Sequence, residues 1–75
     1  MEKKYKISDE KFNEAIKLIQ KNGGTIYNDD TFEISGVEGN FKRSSDGTCR
    51  IEITDKPWLA SWSMIENKLD EFFSS

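Results

Sequence analysis

The sequence predicts a two-layer α+β sandwich in the order α-β-β-β-α, with both helices packed on one face of a three-stranded antiparallel meander. Two observations predict it. The turn-forming segment Ser44-Ser45-Asp46-Gly47 separates two runs in which apolar and polar residues alternate, a pattern typical of a β-hairpin. Segments with helical apolar spacing lie on both sides of this region. A sheet with one apolar face and two amphipathic helices closes most simply as two layers.

The first helix is predicted over residues 8–22. Ser8 is a favourable N-cap residue, and Asp9 and Glu10 place negative charge in the first turn, where the helix dipole favours it. Apolar side chains then recur with the spacing i, i+3, i+4, i+7 at Phe12, Ala15, Ile16 and Ile19. Asn22-Gly23-Gly24 ends the helix, because a glycine after the last turn readily adopts the left-handed cap conformation.

Residues 1–7 precede this helix and are interpreted as a basic arm of the same domain, of the kind that is commonly disordered at chain ends. The segment has a basic start, but no apolar stretch follows it, as a signal peptide would require. The sequence also has no apolar run long enough to span a membrane. A cytoplasmic location without membrane contact is therefore expected.

Three strands are predicted at about 30–34, 37–44 and 48–54. The hydrophobic pattern selects the register of the second hairpin. A three-residue loop places Phe41 opposite Ile51, whereas a two-residue loop would place it opposite a glutamate. The three-residue loop gathers on one face Val37, Gly39, Phe41, Cys49, Ile51 and Ile53. Gly47 then takes the left-handed position that closes the loop.

The preceding connection is predicted as a two-residue turn at Ser35-Gly36, which keeps the apolar residues of both strands on one face. It also places Glu33 opposite Glu38, and like charges in directly opposed positions repel each other. A longer, irregular connection therefore stays an alternative. Residues 25–27 are a candidate for a short fourth strand.

Two starting points compete for the final helix. It begins at Pro57 if one long apolar stripe is followed, or near Met64 if Ser63 and Glu66 form a capping box. We prefer the capping box, which leaves residues 57–62 as an aromatic connector. In both cases the helix ends near Phe73, and its core-facing residues are Ile65, Leu69, Phe72 and Phe73.

Composition argues against most catalytic chemistry. The chain has 75 residues, 35% of them hydrophobic and 33% charged, which fits one small globular domain over residues 1–75. It contains no histidine, which removes the commonest general base and every histidine-containing zinc site. Its one cysteine, Cys49, excludes an internal disulfide and is interpreted as a small buried hydrophobe. We expect neither an enzyme nor a bound cofactor or metal.

Carboxylates are the remaining candidates for a metal or acid–base site. The residues concerned are Asp29, Asp30, Asp46 and Asp55. They occupy positions where aspartate commonly forms turns by bonding the nearby backbone. The turn interpretation is therefore preferred.

The leading functional hypothesis is a small protein-interaction or accessory domain that docks through segment 57–62 or a sheet edge. Such a domain could act as an inhibitor of its partner. Its candidate contacts are Lys56, Pro57, Trp58 and Leu59, because tryptophan dominates interaction hot spots and this segment joins sheet to helix. For Trp58 and Trp62, however, burial as part of the core is the favoured interpretation. Pairing of exposed strand edges between two copies is a further possibility.

Weak nucleic-acid binding is the alternative hypothesis. It would use Lys3, Lys4 and Lys6 near the start of the chain, with Lys42 and Arg50, which the predicted register places opposite each other. The predicted exposed face of the meander has no aromatic residue on which bases could stack. The net charge of −3 also opposes binding to a phosphate backbone, so a protein partner is preferred.

Overall fold

The structure is a computed structural model, and it describes residues 1–74. The elements follow the order β1 (Glu2–Lys6), α1 (Asp9–Lys21), β2 (Thr25–Tyr27), β3 (Thr31–Ile34), β4 (Val37–Arg43), β5 (Thr48–Asp55) and α2 (Trp62–Phe73). The strands form one antiparallel sheet in the order β1-β5-β4-β3-β2. The predicted α+β class is confirmed.

One hydrophobic core lies between the helices and one face of the sheet. α1 contributes Ala15 and Ile19, and α2 contributes four side chains at helical spacing. Among residues 1–74, the buried apolar residues are Tyr5, Ala15, Ile19, Phe32, Phe41, Cys49, Ile51, Ile53, Ile65, Leu69, Phe72 and Phe73. Removing this apolar surface from water is the main source of stability for so small a domain.

The predicted registers of both hairpins are confirmed, except that a register shift between Glu38 and Gly39 places Glu38 opposite Asp55. Phe41 pairs with Ile51, and Gly47 closes the loop at φ +89°. In the preceding hairpin Glu33 does lie opposite Glu38, at the ends of a two-residue turn. The Glu33 carboxylate accepts a 2.8 Å hydrogen bond from the Gly36 backbone N–H. This bond gives the carboxylate a favourable partner and offsets the repulsion that had favoured an irregular connection.

The sheet has five strands rather than the predicted three. Residues 25–27 form β2, which extends the meander to four strands. Residues 2–6, expected as a disordered basic arm, form β1 and pair with β5. The physical reason is Tyr5, whose buried ring stacks on Phe73 with 5.5 Å between ring centroids. That apolar contact anchors a strand otherwise made of charged residues.

The boundaries of α1 agree with the prediction, whereas the start of α2 does not. The hydroxyl of Ser8 accepts a hydrogen bond from the Lys11 N–H at the N-terminus of α1. The N-cap of α2 is Ser61, whose hydroxyl accepts a 3.2 Å hydrogen bond from the Met64 N–H. The helix therefore starts neither at Pro57 nor at a capping box on Ser63, because the preceding turn brings Ser61 into the capping position first.

Within the described residues 1–74, neither helix has the length and apolar character that crossing a membrane would require.

Candidate functional site

The connector between β5 and α2, residues 56–61, is held in a defined turn. The Ala60 N–H donates a 3.0 Å hydrogen bond to the carbonyl of Pro57. Lys56 Nζ donates to the carbonyl oxygens of Ala60, at 2.7 Å, and Pro57, at 3.4 Å. The same ammonium lies 5.2 Å from the ring centroid of Trp62, within range of a cation–π attraction. Lys56 thus ties the connector to the first turn of α2.

The connector also packs against the turn between β3 and β4. A Cβ atom placed on Gly36 would lie 2.9 Å from Cγ of Pro57, so the proline ring sits directly against the glycine backbone. Gly36 has φ +81°, a conformation that favours glycine. Contacts with both the sheet turn and α2 therefore fix the path of the connector.

Two large apolar side chains project from this fixed turn into solvent. Trp58 is 85% exposed and Leu59 is 77% exposed. Trp62 and Met64, which are 44% and 62% exposed, follow a few residues later in the first turn of α2. We call these four residues the connector surface. Clustered exposed apolar side chains mark interaction sites more often than isolated ones do.

The expectation that Trp58 and Trp62 complete the core is wrong. Five other aromatic rings, together with aliphatic side chains, already fill the space between the helices and the sheet. They are Tyr5, Phe32, Phe41, Phe72 and Phe73. Because the Pro57–Ala60 turn directs the connector away from this interior, the first tryptophan is left almost fully in water.

An apolar groove of about 360 Å³ adjoins the connector surface. It runs between α2 and the β3–β4 hairpin, and its apolar lining includes Phe32, Ile34, Val37, Ala60, Met64 and Phe72. Ala60 and Met64 line the groove, so it borders both the connector and the first turn of α2. Among residues 1–74, the charged residue of the lining is Lys68, and no carboxylate contributes to it.

The structure brings together the four residues predicted as partner contacts, but it gives them different roles. Trp58 and Leu59 are available to a partner, whereas Lys56 and Pro57 hold the turn. Sequence reasoning missed Met64 and the groove. Met64 lies two residues after Trp62, and this closeness in sequence was the available signal. The groove depends on how α2 lies against a hairpin that is distant in the sequence.

The structure places four of the five predicted basic contacts on the polar face of the sheet. Arg50 lies opposite Lys4 on one side and opposite Lys42 on the other. Lys6 follows two residues after Lys4 on β1, so its side chain shares that face. Lys3 is separated from them. It lies on the core side of β1, near two carboxylates of α2.

The four candidate aspartates lie in turns or at a strand end. Asp46 accepts a 3.0 Å hydrogen bond from the Thr48 N–H, which lowers the pKa of its carboxyl. Asp30 and Asp55 similarly accept hydrogen bonds from the residue that follows each of them. No group of three or more acidic or cysteine side chains in residues 1–74 is placed to hold a metal ion. The absence of catalytic activity stays a prediction.

Both edges of the sheet are open to solvent or to another strand, since β1 and β2 are each paired on one side only. β2 has three residues, and β1 carries three lysines. Short edge strands and edge lysines are features that discourage pairing between molecules. Edge-to-edge association stays a prediction.

Searches of protein-family models, curated proteins and solved structures found no match to this chain. Its function is therefore inferred from its own geometry and chemistry.

Proposed function

We propose that the protein is a non-enzymatic docking module that binds another protein in the cytoplasm through the connector surface and the adjoining groove. The observation that carries the proposal is Trp58, which is 85% exposed on a turn fixed by hydrogen bonds and by packing. A side chain on a fixed backbone loses less conformational freedom on binding than one on a mobile segment. Tryptophan is also the residue type most enriched among interaction hot spots.

The lining of the groove supports a proposal for the chemistry of the partner. Its lining is apolar, with Lys68 as its charged residue and no carboxylate among the described residues. A partner segment that inserts a bulky apolar side chain would bury it there, and a flanking aspartate or glutamate would meet the lysine. Lys68 lies 3.3 Å from Glu71, but both side chains are largely exposed, so this pair holds it only weakly.

Such a module would act by occupying a surface. Covering an apolar site on another protein stabilises that protein or prevents a competing contact, which corresponds to an accessory or an inhibitory role. Neither role needs a catalytic group in this chain.

A selection from a displayed peptide library tests the proposal. Wild-type protein serves as bait, and binding of the purified enriched peptides to Trp58→Ala protein is measured afterwards. We expect enriched peptides to share a bulky apolar residue flanked by acidic residues. Binding of a purified enriched peptide should weaken at least about tenfold in Trp58→Ala, the size of effect typical of a hot-spot residue.

Tyr27→Ala is the matched control. Tyr27 is an aromatic residue 47% exposed on the edge strand β2, outside the connector surface. Its replacement should leave peptide binding unchanged. Failure to enrich any peptide, or equal binding by wild type and Trp58→Ala, would overturn the proposal. If peptide binding is lost in Ile26→Pro but kept in Trp58→Ala, the docking site is the sheet edge at β2 and not the connector surface.

A further inference from the structure

The polar face of the sheet carries its positive charges in one half. Arg50, in β5, lies opposite both Lys4 of β1 and Lys42 of β4, so that three cations form a row across three adjacent strands. Lys6 adds a fourth positive charge next to this row. All four residues are exposed. We call them the basic half.

The negative charges occupy the other half of the same sheet. Glu2 lies opposite Glu52 in the row directly beside the basic one. Further along, Glu38 lies opposite Glu33 on one side and opposite Asp55 on the other. We call these five residues the acidic half.

This segregation runs against the usual pairing preference. At every register position in the described chain where two charged residues are directly opposed, the two charges have the same sign. Directly opposed like charges destabilise a sheet, and opposite charges would stabilise it. The contact that links the halves is a 3.6 Å ion pair between Arg50 Nε and Glu2 Oε2, which is exposed and therefore weak.

We propose that this face binds the same face of a second copy of the chain. A two-fold axis that lies across the strands, between the two halves, would bring each basic half over the other copy's acidic half. Arg50 would then face Glu52 of the second copy, and Lys4 would face its Glu2. Two-fold symmetry repeats each contact, so both copies contribute equally.

A second copy fits this face better than a nucleic acid does. A phosphate backbone complements only the basic half, while the acidic half and the net charge of −3 repel it. A second copy complements both halves at once. The interaction goes beyond the proposed docking function and does not use the connector surface, because Trp62 and Met64 lie on α2, in the helix layer. The dimer should be weak and sensitive to salt, because its contacts are exposed ion pairs.

Sedimentation equilibrium of the full chain tests the proposal. We expect the wild type to dimerise at about 50 mM salt, with a dissociation constant at least about tenfold higher at about 500 mM salt, because screening weakens exposed ion pairs. An acidic variant, Lys4→Glu with Arg50→Glu, and a basic variant, Glu2→Lys with Glu52→Lys, should each be monomeric alone. Mixed together they should form a heterodimer tighter than the wild-type dimer.

Lys17→Glu with Lys21→Glu is the matched control for the net charge of the acidic variant, since both lysines are exposed on α1 outside this face. It should dimerise like the wild type, and circular dichroism should show that every variant is folded. A wild type that stays monomeric at low salt would overturn the proposal, as would folded variants that fail to associate when mixed. A third outcome is that the wild type does not dimerise but binds a fluorescent DNA duplex in a salt-dependent way, and that the acidic variant loses this binding. That outcome would overturn the dimer and would instead assign the basic half to binding a phosphate backbone.

Discussion

The hydroxyl of Tyr5 donates a 2.6 Å hydrogen bond to Oδ1 of Asp70, which joins the first strand of the fold to its last helix. Lys3 Nζ lies 3.6 Å from the same carboxylate oxygen, and the Tyr5 ring stacks on Phe73. β1 is therefore held to the domain by side chains of α2 as well as by its pairing with β5.

Removal of this hydroxyl should measurably destabilise the fold. Tyr5→Phe keeps the stacked ring and deletes only the donor, so we expect the free energy of unfolding to fall by about 1 kcal/mol, near the usual net value for a hydrogen bond. Urea denaturation measures the difference. Tyr27→Phe, which changes an exposed tyrosine, should shift stability by less than about 0.5 kcal/mol. Equal effects of the two changes would contradict the prediction.

The same tyrosine should make stability fall at alkaline pH. Burial, followed by the hydrogen bond to Asp70, raises the pKa of Tyr5 well above its ordinary value. In the unfolded chain tyrosine loses its proton near about pH 10. Above that pH the folded state binds a proton that the unfolded state has lost, so unfolding becomes more favourable as pH rises. The stability difference between wild type and Tyr5→Phe should therefore be constant below about pH 10 and decrease above it; parallel curves would contradict this.

The two tryptophans should differ in their access to solvent. In Trp62→Phe protein the remaining Trp58 should emit at long wavelength and be quenched by acrylamide nearly as well as free tryptophan, because it is 85% exposed. In Trp58→Phe protein the remaining Trp62, which is half covered, should be quenched less. A blue-shifted and protected Trp58 would show that the connector folds differently and would remove the main support for docking.

Gly36→Ala should destabilise the protein more than Gly23→Ala. Both glycines have positive φ, so either alanine strains the backbone by about 1 kcal/mol or more. At Gly36 the new Cβ also meets Pro57 at 2.9 Å, whereas at Gly23 it meets no atom within 4 Å. Denaturation curves of the two variants isolate the proline contact. The Gly36 variant should also bind selected peptides more weakly, because the displaced proline moves the connector. Equal stability of the two variants would show that the Pro57 ring moves away from the new Cβ without measurable cost in stability.

Cys49 should be unreactive in the folded protein. Its side chain is fully buried, and burial raises the pKa of the thiol, which lowers the fraction of reactive thiolate at neutral pH. Labelling by a disulfide reagent should be slow under native conditions and fast in denaturant. Rapid native labelling would require frequent opening of the core around β5.

The hairpin registers could be predicted because the information lies within a few residues of each turn. Gly47 is suited to the positive φ that the loop requires, and alternation on both sides distinguishes one loop length from the other. β1 could not be predicted in this way. Its sequence offers a single buried apolar side chain, Tyr5, among charged residues, and its partner strand lies most of the chain away.

The candidate site was only partly predictable for a similar reason. The spacing of Trp58, Trp62 and Ile65 fits a helical stripe, and only the last of these side chains is buried. Ser61 and Ser63 are both plausible N-caps by sequence, and the Pro57–Ala60 turn decides between them. The whole fold determines how much volume the core offers to a tryptophan and which path the connector takes. The local sequence pattern around these residues does not contain that information.

The central position of β5 has a consequence for synthesis on the ribosome. β1 and α1 emerge first, but β1 finds its partner only after β5 has been made. Until then the Tyr5 ring has no partner strand, and the apolar face of α1 lacks the buried side chains of β5 and α2. Pairing of distant segments is also the slow kind of contact to form. Nascent chains arrested before Thr48 should therefore be cut readily by proteases within their first two elements. Once β5 and α2 have emerged from the ribosome, β1 and α1 should become resistant to protease in one step.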